Sequence, residues 1–310
     1  MSKAYGYTAY GGAETETWFD RPVPTPGPSE LVIEVRAVGV NAIDHKLRSG
    51  AMAGPDAAPS FPLVLGVEAS GIVTAVGPDV HGFGEGDAVL GRVAPDHGSY
   101  AEHAVLLAAD TTHKPPQLSF VDAAALPVAA GTAWDVLEQL GVAEGQTLLI
   151  NGVGGGVGVM AAQLARDRGL TVFGVGSESK RQLAESVGAT LVAYDAGDVV
   201  EQMRALMPGG VDAVFDAVGG ESMRQAARLA GAPPRIVSIV DPGVAEVGGT
   251  FLVSTTTGVA NVAELIVEGK VDPKVMQTYP FDEAPAALRS MESGHVLGKL
   301  VIDVGQTTHS

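Results

Sequence analysis

The 310-residue chain contains no cysteine. That excludes disulfides, cysteine-ligated zinc, iron–sulfur clusters and a thiol nucleophile. It is also short of positive charge: 19 Lys and Arg stand against 36 Asp and Glu, a net charge of −17. Such a balance argues against nucleic acid and anionic membranes as partners, and an anionic cofactor must then be met by a local group of donors and cations. Long apolar runs are missing too. The most apolar window, around residues 147–165, is broken by Asn151, Gln163 and many glycines, so no membrane span is expected. The opening MSKAYGYTAYGG lacks the apolar segment of a signal peptide, and a cytoplasmic protein is the expectation. There are no internal repeats and no low-complexity tracts. With 46% hydrophobic and 18% charged residues, the chain should build a sizeable core, in about two domains at this length.

What is present is glycine, concentrated where the chain is organised: Thr147 to Gly169, TLLINGVGGGVGVMAAQLARDRG. Leu148, Leu149 and Ile150 read as a strand buried on both faces of a parallel sheet. Gly152, Gly155, Gly156 and Gly158 follow, and apolar residues then recur at helical spacing from Val157 to Ala165. Strand, glycine turn and helix together suit a dinucleotide pyrophosphate, because glycines admit a close phosphate and the helix start offers free N–H groups. The spacing is Gly152-x-x-Gly155-x-x-Gly158 rather than G-x-G-x-x-G.

Residues 1–114 read as a small, curled, partly closed β-rich sheet. Strands are expected at 31–40 and 63–76, with shorter ones near 87–90 and 100–106. Helical segments follow at 119–125 and 131–141. Further strands fall near 147–151, 171–175, 190–194, 211–216, 234–240 and 250–253, alternating with helices near 156–168, 179–187, 198–206 and 221–230. The fold class expected is α/β: a doubly wound, parallel six-stranded sheet (Rossmann) plus a β-rich, partly closed-barrel catalytic domain. Domain limits are placed at 120–254 for the dinucleotide-binding part, with 1–119 and 255–310 forming the other. Helices near 257–268 and 282–292 precede a last strand at 298–304, which returns to the first domain, and 305–310 is expected to be a loose tail.

The order of these pieces resembles the medium-chain dehydrogenase/reductase superfamily, in its zinc-free quinone oxidoreductase and enone reductase branch. The resemblance covers nearly the whole chain. It is carried by Asn41-Ala-Ile-Asp44-His-Lys-Leu-Arg-Ser-Gly50, Leu65-Gly66-Val67-Glu68-Ala-Ser-Gly71, Gly98-Ser-Tyr-Ala-Glu102, the Leu126–Ala133 and Asn151–Gly158 segments, and Gly298-Lys-Leu-Val-Ile302. Val67 stands where zinc-dependent members have a histidine ligand, so no metal is expected, and Glu68 reads as a structural carboxylate. Lys46 stands where many quinone oxidoreductases carry tyrosine and looks more like the enone reductases.

The resemblance implies hydride transfer from a nicotinamide lying between the domains, beside Asn41, Thr132, Val218, Val240, Phe251 and Val253. Tyr194 and Lys180 correspond to residues around the adenosine phosphate. NADPH is expected over NADH: Val172–Ser177 ends without the acidic residue of NAD sites, while Ser177, Lys180 and Arg181 offer donors and positive charge for a 2′-phosphate. Glu178 argues the other way. Lys46 and Asn41 are the catalytic candidates, Lys46 as a donor polarising the substrate carbonyl. Met52 and Phe61 are candidates to line the substrate cleft. Asp44 is expected to cap a short helix or to pair with Arg48, His45, His81, His97 and His103 to sit on the surface or in loops, and Lys299 to lie on an edge strand. The substrate class expected is a small conjugated carbonyl or quinone, and the assembly a homodimer joined at the 250–253 strand. Two alternatives stay open: an enoyl-thioester reductase, for which no Lys/Arg cluster is visible, and a non-catalytic NADPH-binding structural or sensor protein.

Overall fold

The structure, a computed structural model, describes residues 1–54, 59–255 and 258–305. Residues 306–310 of the expected tail lie outside the described residues. In chain order the elements are β1 (Ser2–Tyr7), β2 (Glu16–Arg21), β3 (Glu30–Val40), α1 (Ala42–Arg48), β4 (Leu63–Val64), β5 (Glu68–Val76), β6 (Ala88–Val93), β7 (His103–His113), α2 (Phe120–Ala124) and α3 (Ala129–Leu140). Then come β8 (Thr147–Asn151), α4 (Gly156–Asp167), β9 (Thr171–Gly176), α5 (Arg181–Ser186), β10 (Ala189–Ala193), α6 (Val199–Leu206), β11 (Ala213–Asp216) and α7 (Gly220–Ala227). The rest is β12 (Ile236–Ser238), β13 (Thr250–Phe251), α8 (Gly258–Val267), β14 (Val275–Pro280), α9 (Ala284–Glu292) and β15 (Lys299–Asp303).

These elements pack into two compact units: Met1–Val128 with Val275–Ser310, and Ala129–Lys274. Both divisions come later in the chain than the sequence boundaries at 119/120 and 254/255. Helix α8 packs on α3, and Gln163 of α4 bonds the main chain of Asp272 in both directions, which ties residues 258–274 to the second unit.

In the first unit β3 is the long organising strand. Leu31, Ile33 and Val35 face one core, joined by Leu65, Val73, Tyr100 and Leu106. Strand β3 pairs antiparallel with β5 on one side and with both β15 and β7 along the other, so β3, β5, β6 and β7 close on themselves. The expected 63–76 run is two strands, because Gly66 adopts φ +93° and breaks it after Val64. Three strands escaped the sequence reading: β1 and β2, which pair with each other, and β14. Strand β15 does return to this unit, but β14 covers its outer side, so Lys299 is on an interior strand and is buried, against expectation.

The second unit is the parallel six-stranded sheet in the order β10-β9-β8-β11-β12-β13. The leucines and isoleucine of β8 are fully buried at its centre. Helices α3, α4 and α8 pack together, as do α6 and α7. Strand order reverses between β8 and β11, and in such sheets ligands bind outside the carboxyl ends of the strands at that point. Strand β13 forms the edge.

Candidate active site

The second unit's site begins at the carboxyl end of β8. Gly152 adopts φ +96°, a conformation that favours glycine, and turns the chain back across the sheet. Helix α4 starts at Gly156 behind its N-cap Gly155, so its first-turn N–H groups have no partner within the helix. A Cβ at Gly158 would lie 2.3 Å from the Gly152 carbonyl oxygen, so only glycine lets the helix sit this close to the turn. A Cβ at Gly155 would meet only one atom within 4 Å, which leaves that approach open. Val157 is half-buried beside it.

The loops around this turn are fixed by a buried polar network that sequence reasoning missed. Asp216, at the end of β11, is fully buried and accepts from Asn151 Nδ2 (2.7 Å), Ser238 Oγ (2.7 Å) and the N–H groups of Val218 and Gly219. Ser222 Oγ donates to Asn151 Oδ1, and Ser238 Oγ accepts from the N–H groups of Val240 and Asp241. The carboxyl ends of β8, β11 and β12 are thereby tied to one carboxylate. The only sequence signal was three polar residues, each closing an apolar strand.

The other expected cofactor residues of this unit are held in different ways. Lys180 lays its stem over the turn, with Cδ 2.3 Å from where a Gly154 Cβ would be, and its ammonium has no carboxylate partner among the described residues. Burial holds its pKa below the usual lysine value, so an anion there would be welcome. Arg181, by contrast, is already held by Glu178 (2.6 Å) and Glu185 (3.3 Å). Ser177 and Ser179 share a hydroxyl hydrogen bond, and Tyr194, exposed, is joined by its N–H to the Gly176 carbonyl at the same strand ends. Val218 reaches the Gly152 turn, and Val240, Phe251 and Val253 are exposed apolar side chains near the ends of β12 and β13. Gln139 bonds the main chain of Phe251 and Val253, and Asp135 that of Thr255, so α3 sets their position. Thr132 is buried in the same helix.

In the first unit the site is a buried charge cluster under the start of α1. Lys299 Nζ donates to Glu68 Oε1 (2.7 Å) and Asn41 Oδ1 (2.9 Å). Asn41 Nδ2 donates to Glu68 Oε1 (2.7 Å) and Gly39 O (3.2 Å), and the Val128 N–H binds Glu68 Oε2 (2.7 Å). The Asn41 amide group is thus fully employed within the cluster. Asp44 does cap α1, accepting from the Asn41 N–H (2.9 Å) and from Tyr100 Oη (3.0 Å). It does not pair with Arg48, which is bound to Glu16 and Glu292 instead. Asp44 Oδ1 is buried without a hydrogen-bond partner among the described residues, and burial pushes the carboxyl up to about 7.

Lys46 lies half-buried in the last turn of α1, with no carboxylate within ion-pair distance among the described residues. Met52 lines a cavity in this unit, whereas Phe61 stacks edge-on beneath Tyr7 and Tyr10. His81 is exposed, His45 and His97 are half-buried, and His103 sits in strand β7 rather than in a loop. No three His, Cys, Asp or Glu residues converge among the described residues, and Glu68 is saturated by Lys299, Asn41 and Val128. These residues do not fit a metal ion. Among the described residues no helix is long and apolar enough to cross a membrane.

Comparison with known proteins matches residues 27–116 to an alcohol dehydrogenase GroES-like domain and residues 187–302 to a zinc-binding dehydrogenase domain. The mouse mitochondrial NAD(P)H oxidoreductase RTN4IP1 is 31% identical, over 89% of this chain and 82% of its own. The structure of the quinone oxidoreductase from Coxiella burnetii matches with a TM-score of 0.89 at 31% identity, over 98% of this chain and 99% of that one. Escherichia coli quinone oxidoreductase complexed with NADPH matches at 0.85 and 26% identity, over 97% and 99%.

Proposed function

Since the chain belongs to the medium-chain dehydrogenase/reductase superfamily, in its quinone oxidoreductase and enone reductase branch, and is an NAD(P)H-dependent oxidoreductase, we propose that it is an NADPH-dependent, zinc-independent reductase of quinones or α,β-unsaturated carbonyls. The observation that carries the cofactor choice is Lys180, a half-buried cation with no carboxylate partner among the described residues, packed on the glycine turn in a chain of net charge −17. Gly152, Gly155, Gly156, Val157 and Gly158 would hold the pyrophosphate, with Lys180, Ser177 and Tyr194 around the adenosine end. Arg181 would serve there only by leaving Glu178 and Glu185.

Bound nicotinamide supplies the hydride. The chain's own residues must then manage the negative charge left on the acceptor oxygen. The residues around Glu68 do not form a metal donor set, so the suitable acceptors are those that spread the charge themselves. A quinone becomes a phenolate, whose acid has a pKa of about 10, and an enone becomes an enolate. Asn41 positions the start of α1, and Lys46 on that helix donates to the carbonyl as charge develops. Lys46→Ala should lower kcat on enones by about 10²–10³ and less on quinones, with NADPH affinity nearly unchanged. A kcat within threefold of the parent on every substrate would make Lys46 a bystander.

The direct test is NADPH oxidation with 9,10-phenanthrenequinone, enals, enones and enoyl-thioesters, with and without a chelator. Turnover of the quinone or enones, indifferent to the chelator, is expected. Activity confined to thioesters, or none at all, would overturn the reading. The exposed edge at β13, with Phe251 and Val253 beside it, supports pairing with a second copy of the chain. Light scattering should give twice the chain mass at micromolar concentration, and a monomer there would contradict this.

A further inference from the structure

The second unit carries a cavity that the proposed reaction leaves unused. Its volume is about 530 Å³, within the range of small-molecule pockets. Thr147 starts β8, Asp212 immediately precedes β11 and Arg235 immediately precedes β12, so three polar side chains stand at the amino ends of three adjacent parallel strands. The glycine turn lies at the other end of β8, beyond Asn151.

Two opposite charges line this cavity, each fixed in place, and they do not form an ion pair. Asp212 Oδ2 accepts from the Thr147 N–H (2.8 Å) and hydroxyl (2.7 Å), and Thr147 Oγ1 accepts in turn from the Asp212 N–H (2.9 Å). The Thr147 bonds, with Arg235 adding a smaller pull, hold the carboxyl below the usual carboxylate range, so it is ionised at neutral pH. Its Oδ1 makes no hydrogen bond among the described residues. Arg235 is clamped on two main-chain carbonyls, Nε on Asp212 (3.2 Å) and Nη1 on Gly141 (3.1 Å). Its Nη2 has no partner among the described residues, nor does the guanidinium have a carboxylate there. A guanidinium held by carbonyls keeps its full charge and spare donors for an outside anion. The space beside these charges is bare. A Cβ at Gly145 or Gly209 would meet nothing within 4 Å, and Met207, Val211, Ala232 and Pro233 supply apolar lining.

From this arrangement we infer that the cavity binds a free α-amino acid with an apolar side chain, its carboxylate on Arg235, its ammonium on Asp212 Oδ1 and its side chain against the apolar lining. The inference goes beyond the reading given under Proposed function and does not depend on it. A zwitterion matches both charges at once. A phosphate would be drawn to Arg235 but repelled by Asp212, and a simple amine would be drawn to Asp212 but repelled by Arg235. The apolar lining favours a branched aliphatic side chain over none, because covering it removes apolar surface from water.

The probe is L-leucine, titrated calorimetrically into the protein without cofactor. Three analogues each lack one part of it: 4-methylpentanoate the ammonium, 3-methylbutylamine the carboxylate, and glycine the side chain. Leucine should bind with a Kd of about 1 mM or tighter, and each analogue at least about tenfold more weakly, the loss of one charge-assisted hydrogen bond or of the side-chain burial. Asp212→Asn, which keeps an acceptor for Thr147, should erase the preference for leucine over 4-methylpentanoate. Arg235→Gln should erase the preference for leucine over 3-methylbutylamine. Gly209 lies outside the left-handed region and its Cβ direction is open, so Gly209→Val fills the cavity without touching either charge. That variant should lose leucine binding at an unchanged melting temperature and unchanged rate of NADPH oxidation, and it decides the matter should Arg235→Gln fail to fold. No saturable heat with leucine up to about 10 mM, equal affinity for leucine and 4-methylpentanoate, or full leucine affinity in Gly209→Val overturns the inference.

Discussion

Each unit buries a polar cluster, and the two clusters are built differently. In the second unit Asp216 is surrounded by hydrogen-bond donors from Asn151, Val218, Gly219 and Ser238, and no cation among the described residues takes part. In the first unit Glu68 is paired with Lys299, while Asp44, close by, has an oxygen with no hydrogen-bond partner among the described residues. The first arrangement is a fixed frame: every bond holds a loop at the end of a strand. The second is a balance of charges around the start of α1, and a balance can be tipped by removing one charge or one proton. The two clusters should therefore fail in different ways.

The sharpest way to separate them is to remove the cation. Lys299→Met would leave Glu68 buried without a countercharge and should destabilise the protein by about 3–5 kcal/mol in urea unfolding at pH 7. Adding Glu68→Gln should recover much of that loss, because the pair is then removed together. In the second unit the equivalent change, Asp216→Asn, keeps one acceptor oxygen and should lose only about 1–3 kcal/mol. If Asp216→Asn proves as damaging as Lys299→Met, the contrast between frame and charge balance is wrong.

A smaller effect tests the proton. Burial raises Asp44 from 3.8 to about 7, so between those values the folded protein holds a proton that the unfolded chain has lost. The stability linked to this group is fully present below about pH 4, is lost as pH rises through 7, and does not return above it. Asp44→Asn keeps an acceptor for the Asn41 N–H and the Tyr100 hydroxyl but cannot titrate. Its stability relative to the parent should therefore rise between pH 5 and pH 8. Parallel unfolding curves for the two proteins across that range would mean that Asp44 is not protonated in the fold.

How much of this could be read beforehand follows from sequence distance. The glycine turn, its strand and its helix were legible because their signals lie within a few residues of one another, as was the alternation that follows. Lys299 was not, since its partner Glu68 is 231 residues away and Gly-Lys-Leu-Val-Ile alone reads as an ordinary strand start. Asn151 and Asp216, 65 residues apart, were hidden in the same way. Strands β1 and β2 mix charged, aromatic and glycine residues and show no clean alternation, so no period announced them. Lys180 and Arg181 are neighbours of the same sign, and only the fold shows that one rests on the turn with no carboxylate partner among the described residues while the other is spent on Glu178.

That difference between adjacent cations gives the most direct test of the central claim, that the second unit holds NADPH by its glycine turn and Lys180. Calorimetric titration of NADPH and NADH should be run against the parent and Lys180→Met, which keeps the stem over Gly154 and removes the charge. The parent should bind NADPH more tightly than NADH. The variant should lose about 10- to 100-fold in NADPH affinity, the worth of one charge-assisted hydrogen bond, with NADH affinity nearly unmoved. Equal affinity of the parent for both cofactors, or equal losses for both in the variant, would contradict the account.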